Sequence, residues 1–196
     1  RPPISTLFPY TTLFRSNGEK CDLTVIKCIN YYHETYYELP VKPSPNLPNQ
    51  TSIYLYPSIC FFEGTNVSLG RGTSLPFQVY GSPDLPDTGF SFTPQSVLGA
   101  KNPPLLGIKC YGKDLSNAIE TGMVPRPEIN LDLIIDAYTS FRDKENFFTD
   151  YFDVLAGGPL LREQIQKGMS AGEIRATWKM ELEKFREIRN KYLLYK

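Results

Sequence analysis

One run of the chain, Glu63 to Thr73 (EGTNVSLGRGT), gathers the side chains a carbohydrate site draws on. Gly64, Gly70 and Gly72 permit close backbone approach or a positive φ. Among them stand Glu63, Asn66, Ser68, Arg71 and Thr73, with Thr65 beside them. Hydroxyls and an N-acetyl group are recognised by hydrogen bonds, for which Asn, Ser, Thr and Glu are suitable partners. Arg71, flanked by two glycines, places a guanidinium on an open backbone, and its planar fork suits bidentate capture of a carboxylate. Plainer readings compete with this one. A polar, glycine-bearing run also makes an ordinary turn, and Arg71 can equally pair with a structural carboxylate. Asn66-Val67-Ser68 matches a glycosylation sequon, a pattern that arises by chance in many proteins.

The rest of the composition narrows the chemistry. The cysteines are Cys21, Cys28, Cys60 and Cys110; no C-x-x-C pair is among them, and the single His33 has no ligand-type neighbour at metal spacing. A zinc site is therefore not expected, and no cofactor is expected. Cys21, Cys28 and Cys60 lie among apolar residues and are expected to act as small hydrophobes, while two disulfides stay open as an alternative. Lys and Arg total 21, as do Asp and Glu, so there is no basic excess for nucleic acid or an anionic membrane. No apolar run is long enough to span a bilayer, and none is read as a signal peptide. The 13 Tyr and 12 Phe are generous, and core or interface mass is a better explanation for them than sugar stacking.

The elements that would hold the loop divide by period. Cys21–Ile29 is β-branched and apolar and predicts a buried strand. Pro40, Pro43, Pro45 and Pro48 make the next stretch an extended loop. Ser52–Phe62 is a second apolar stretch interrupted by Pro57, and Pro76–Tyr80, Thr88–Thr93 and Leu105–Tyr111 predict short strands. Toward the end the period becomes helical. Leu131, Ile134, Ile135, Tyr138 and Phe141 share one face of a helix begun near Asn130. Pro159 and Gly168 bracket a short helix. Ser170 and Glu173 form a capping box for a last helix, whose stripe of Ile174, Trp178, Leu182, Phe185 and Ile188 is expected to dock on the core. Strands first and helices last predict an α+β fold, a small mixed sheet with C-terminal helices packed on it.

Arg1–Ser16 stands apart. Thr6–Ser16 (TLFPYTTLFRS) matches in one frame the translation of a common sequencing-adapter end, so residues 1–16 are expected to be a non-native leader and 17–196 the natural sequence.

Longer motifs carry a family resemblance. Pro43–Thr73 (PSPNLPNQTSIYLYPSICFFEGTNVSLGRGT) resembles the exo-β-N-acetylmuramidase family, once a domain of unknown function, in its P-S-P-N-x-P, its Y-P strand and its E-G-T-x-x-S-x-G-R-G-T. PFQVYGSP (Pro76–Pro83), Phe92-Thr93-Pro94, the C-Y-G-x-D-L of Cys110–Leu115, and Trp178, Glu181, Leu182, Phe185 and Arg189 near the end extend it over nearly everything from Asn17 onward. Ser116–Asn130 departs from the pattern, being shorter than the family's strand-and-helix segment there.

The resemblance implies a hydrolase of peptidoglycan that releases N-acetylmuramic acid from non-reducing ends. Its N-terminal Rossmann-like domain, which carries the main catalytic glutamate, would precede Asn17 and be missing here, with the active site in the cleft between the two. This chain is then the substrate-cleft domain, inactive alone, with Glu63 a candidate second carboxylate. Glu63, Asn66, Ser68, Arg71 and Thr73 would meet a peptidoglycan-derived glycan, outside the cell or in the periplasm. The alternative from another class is a non-catalytic module binding cell-wall glycan.

Overall fold

The computed structural model describes residues 24–32, 36–125 and 128–195. The leader, Cys21 and His33 lie outside the described residues. The chain divides into two units, residues 38–174 and residues 1–37 with 175–196.

The larger unit starts with a helix where an interrupted apolar stretch and a Y-P strand are expected. Helix α1 spans Gln50–Ile59 and runs on into a 3-10 turn at Cys60–Gly64. Its cause lies just upstream of the apolar run. Ser52 N–H donates to Asn49 Oδ1 at 3.0 Å and Asn49 N–H to Ser52 Oγ at 3.4 Å, a reciprocal cap that satisfies two donors an uncapped helix would leave orphaned. Pro57 removes one hydrogen bond, but near the C-terminal end, where the helix is already tightening toward 3-10 geometry. Burial of Leu55, Ile59 and Phe62 holds the element in place.

Three short strands follow, β1 (Val79–Ser82), β2 (Ser91–Phe92) and β3 (Cys110–Asp114), in the order β1-β3-β2. Val79 faces Asp114 and Ser82 faces Tyr111, while Phe92 faces Cys110. Both pairings are antiparallel, so the α+β class holds while the sheet is not mixed. A parallel pair needs a long crossover, usually a helix, and none lies between β1 and β3. The expected strand at Leu105–Tyr111 forms five residues later, because Leu105, at φ 58, belongs to a turn.

Helix α2 (Asp132–Ser140) buries Leu133, Ile134 and Ala137, with Leu131 at its cap. Asn130 N–H donates to Ser58 Oγ at 2.8 Å, which ties the start of α2 to α1. Two short helices, α3 (Tyr151–Ala156) and α4 (Leu160–Gln166), come next. Aromatic rings fill the centre. Phe62 stacks on Tyr80 at 4.6 Å, and Phe147, Phe148 and Phe152 meet edge to face. Core mass is thus the role of most of the described phenylalanines, while several tyrosines stay exposed.

Helix α5 (Ala171–Asn190) opens on the expected box, with Ser170 N–H donating to Glu173 Oε2 at 2.8 Å and Glu173 N–H to Ser170 Oγ at 3.3 Å. The Ser170 hydroxyl, donating to the same carboxylate at 2.7 Å, and then the Ser170 N–H hold the Glu173 carboxyl below its ordinary range. The stripe docks less than expected: Ile174 is buried, but Leu182 and Ile188 are 47% and 48% exposed. Arg175 onward belongs to the smaller unit. There, Thr24–Ile29 forms no strand and is exposed, contrary to the buried strand expected for that run, so no described sheet covers the stripe. Within that unit Cys28 N–H donates to Tyr195 Oη at 2.7 Å. Cys28 is exposed, unlike the small hydrophobe expected, whereas Cys110 is buried and Cys60 partly so.

Candidate functional site

The Glu63–Thr73 run is a built loop rather than a free turn. At Gly64 the chain passes so close to α3 that a Cβ there would lie 2.4 Å from Phe152 Cα. Only glycine allows that approach. Thr149 N–H donates to Gly64 O at 2.9 Å and Asn66 N–H to Phe147 O at 2.9 Å, fastening the loop to the segment before α3. These contacts set Tyr151, the first residue of α3, beside Glu63. Farther along, Ser68 exchanges backbone bonds with Gly81 of β1, at 2.7 and 2.9 Å. Gly70 (φ 70) and Gly72 (φ 82) then turn the chain through left-handed geometry and leave Arg71 projecting between them.

The result is a recess of about 260 Å³ lined by Glu63, Val67, Leu69, Arg71, Pro104 and Tyr151. Arg71 Nη2 donates to Glu63 Oε1, a charge-assisted bond between a part-buried carboxylate and a guanidinium 40% exposed. The guanidinium carbon also sits 5.1 Å from the centre of the Phe77 ring, a cation–π contact that fixes the plane of the fork. Arg71 Nε is buried and has no hydrogen-bond partner among the described residues. Nearby, burial and then the charge of Glu63 push the Cys60 thiol up to about 11, so it is not a thiolate nucleophile at neutral pH. The Tyr56 phenol is raised mainly by burial and next by Glu63, with Arg71 opposing.

Of the residues singled out in the sequence, Glu63 and Arg71 meet in this recess. The other three do not line it. Asn66 is exposed and its amide holds Asn146 O. Ser68 is fully buried, its hydroxyl accepting from Gly70 N–H at 3.3 Å. Thr73 Oγ1 donates to Gly70 O at 2.7 Å and accepts from Leu75 N–H at 3.0 Å, bracing the turn. Arg71 is not an open cation as drawn from the sequence, because Glu63 already occupies one of its donors. Tyr151 and Pro104 lie far from the loop in sequence, and no local pattern marks them as its neighbours. A second recess, of about 200 Å³, lies where Lys113 of β3 pairs with Asp136 of α2 at 3.1 Å. Among the described residues no cluster could hold a metal ion, and no helix is long and apolar enough to cross a membrane.

Comparison with known proteins points one way. Residues 54–195 match the family model described as exo-beta-N-acetylmuramidase NamZ, C-terminal. The peptidoglycan beta-N-acetylmuramidase NamZ of Bacillus subtilis (strain 168) is 33% identical, over 89% of this chain and 46% of that protein. A crystal structure of a DUF1343 family protein from Bacteroides fragilis superposes with a TM-score of 0.83 at 53% identity, covering 90% of this chain and 50% of that one. A second DUF1343 protein from the same organism, 18% identical, shares the fold at a TM-score of 0.63, over 95% of this chain and 55% of its own. The chain thus spans about half the length of the relatives it matches. With the family model covering well over half of its residues, this chain belongs to the C-terminal domain family of the NamZ exo-β-N-acetylmuramidases.

Proposed function

We propose that this chain is the substrate-cleft half of a glycoside hydrolase that releases N-acetylmuramic acid from the non-reducing ends of peptidoglycan fragments, and that the Glu63–Arg71 recess is where it holds the sugar. The observation that carries the reading is the pairing of a carboxylate and a guanidinium at the mouth of a recess in a member of this family. Glu63 offers an acceptor for sugar hydroxyls, and the Arg71 fork keeps further N–H donors beyond the one given to Glu63. N-acetylmuramic acid differs from N-acetylglucosamine by a lactyl ether that ends in a carboxylate, and Arg71 is the cation in the recess to meet it. A recess of this size suits one sugar unit, since sites for larger ligands run to several hundred Å³ or more, roughly 300–1,000. Its partners are a wall-derived glycan and the catalytic domain that precedes this one in the family. Cell-wall turnover and muropeptide recycling, outside the cell or in the periplasm, are the setting such chemistry serves.

The test is selectivity. A charge-assisted bond is worth roughly 1.5–3 kcal/mol, or about one to two decades in affinity. Arg71→Lys keeps the charge but loses the fork, so calorimetry is expected to show N-acetylmuramic acid binding weakened by about tenfold or more. N-acetylglucosamine binding should hardly change. Equal losses for both sugars would make Arg71 a brace for its loop.

A further inference from the structure

Two exposed tyrosines flank the recess, and the charged pair alone gives them no purpose. Tyr151 forms one wall and is 50% exposed. Tyr56, on the last turns of α1, is 39% exposed. It packs on the Phe77 ring at 5.2 Å, the same ring over which the Arg71 guanidinium lies at 5.1 Å. Tyr56, Phe77 and Arg71 are therefore in successive contact, and the Tyr56 phenol lies within electrostatic reach of Glu63, Arg71 and Tyr151. The two tyrosines come from elements distant in sequence that Gly64 draws together.

We infer that Tyr56 and Tyr151 are a stacking platform for the pyranose ring held at Glu63 and Arg71. The inference rests on the functional reading above and extends it to how the ring is oriented. A pyranose carries its polar groups at the rim and presents C–H bonds on its faces. An aromatic surface covers such a face while the rim groups reach Glu63 and Arg71. Tyrosine suits the position because one end of its ring is apolar and the other tolerates water. Stacking is indifferent to the lactyl group, so the platform should grip N-acetylmuramic acid and N-acetylglucosamine alike. In that respect its signature is the opposite of the one expected for Arg71.

The experiment compares Tyr56→Leu, Tyr151→Leu, Tyr56→Phe and Tyr151→Phe in this chain, titrated with methyl β-glycosides of N-acetylmuramic acid and of N-acetylglucosamine. Each leucine variant is expected to weaken both sugars equally, by about three- to ten-fold, and each phenylalanine variant to bind like the parent. Leucine variants that bind both sugars normally, while Arg71→Lys loses the muramic glycoside, would overturn the platform and leave the functional reading intact. Phenylalanine variants as weak as the leucine ones would overturn it too, since the hydroxyls would then be the binding groups. A parent chain that binds neither sugar would overturn the functional reading and the platform together.

Discussion

The chain alone is expected to release no N-acetylmuramic acid from an aryl β-N-acetylmuraminide over hours at micromolar protein. Most glycosidases place two carboxyl groups about the scissile bond, roughly 5–5.5 Å apart when retaining and 6.5–9.5 Å when inverting. Glu63 is the one carboxylate among the described residues lining the recess, and it already accepts from Arg71. General acid–base assistance typically contributes about 10²–10⁴ in rate, and covalent or water-activating chemistry by the second group adds to it. With one group of the pair, turnover should fall below detection by release of the coloured aglycone. A family member of full length, measured beside it, supplies the positive control. Measurable turnover by this chain would mean that Glu63 works with a second carboxylate of its own domain.

A large loss of stability is expected at Gly64. A methyl there would meet Phe152 Cα at 2.4 Å and Phe152 N at 2.6 Å, and backbone atoms cannot rotate out of the way as a flexible side chain can. Overpacking costs typically 1–3 kcal/mol, and this contact belongs at the upper end because relief requires α3 to back away from the loop. Gly64→Ala should therefore lower Tm by about 6–12 °C in a chain of this size. It should weaken sugar binding as well, since Tyr151 moves with α3. Gly172→Ala is the matched control. Its Cβ meets nothing within 4 Å and it sits in a helix, so Tm should hold or rise. An unchanged Tm for Gly64→Ala would show that the loop and α3 are not in close contact.

The residues of the site were more legible in the sequence than its shape. The glycines around Arg71 announce a left-handed turn because few other residues adopt one, and both take positive φ. Helices α2, α4 and α5 are legible because apolar spacing, Pro159, Gly168 and the Ser170–Glu173 box are local signals that local hydrogen bonds obey, whereas α3 carries none of these and was not foreseen. Helix α1 was not, because Pro57 and the β-branched and aromatic residues around it imitate an extended segment, while the cap at Asn49 outweighs them. Neither was the partnership of Arg71 with Glu63, nor the nearness of Tyr151, which depends on one missing Cβ at Gly64. Hydroxyls that look alike in sequence part company by burial. The Ser68 hydroxyl is buried and taken up by Gly70 N–H, and that of Thr73 by its own turn, so neither reaches the recess.

The most direct measurement is a titration of the uniformly ¹⁵N-labelled chain with the methyl β-glycoside of N-acetylmuramic acid, followed by amide chemical shifts. Saturable shifts are predicted for the amides from Glu63 to Thr73 and for Tyr151, with little change beside Lys113 and Asp136. Shifts confined to the Lys113–Asp136 recess, or none that saturate, would contradict the assignment of the Glu63–Arg71 recess as the sugar site.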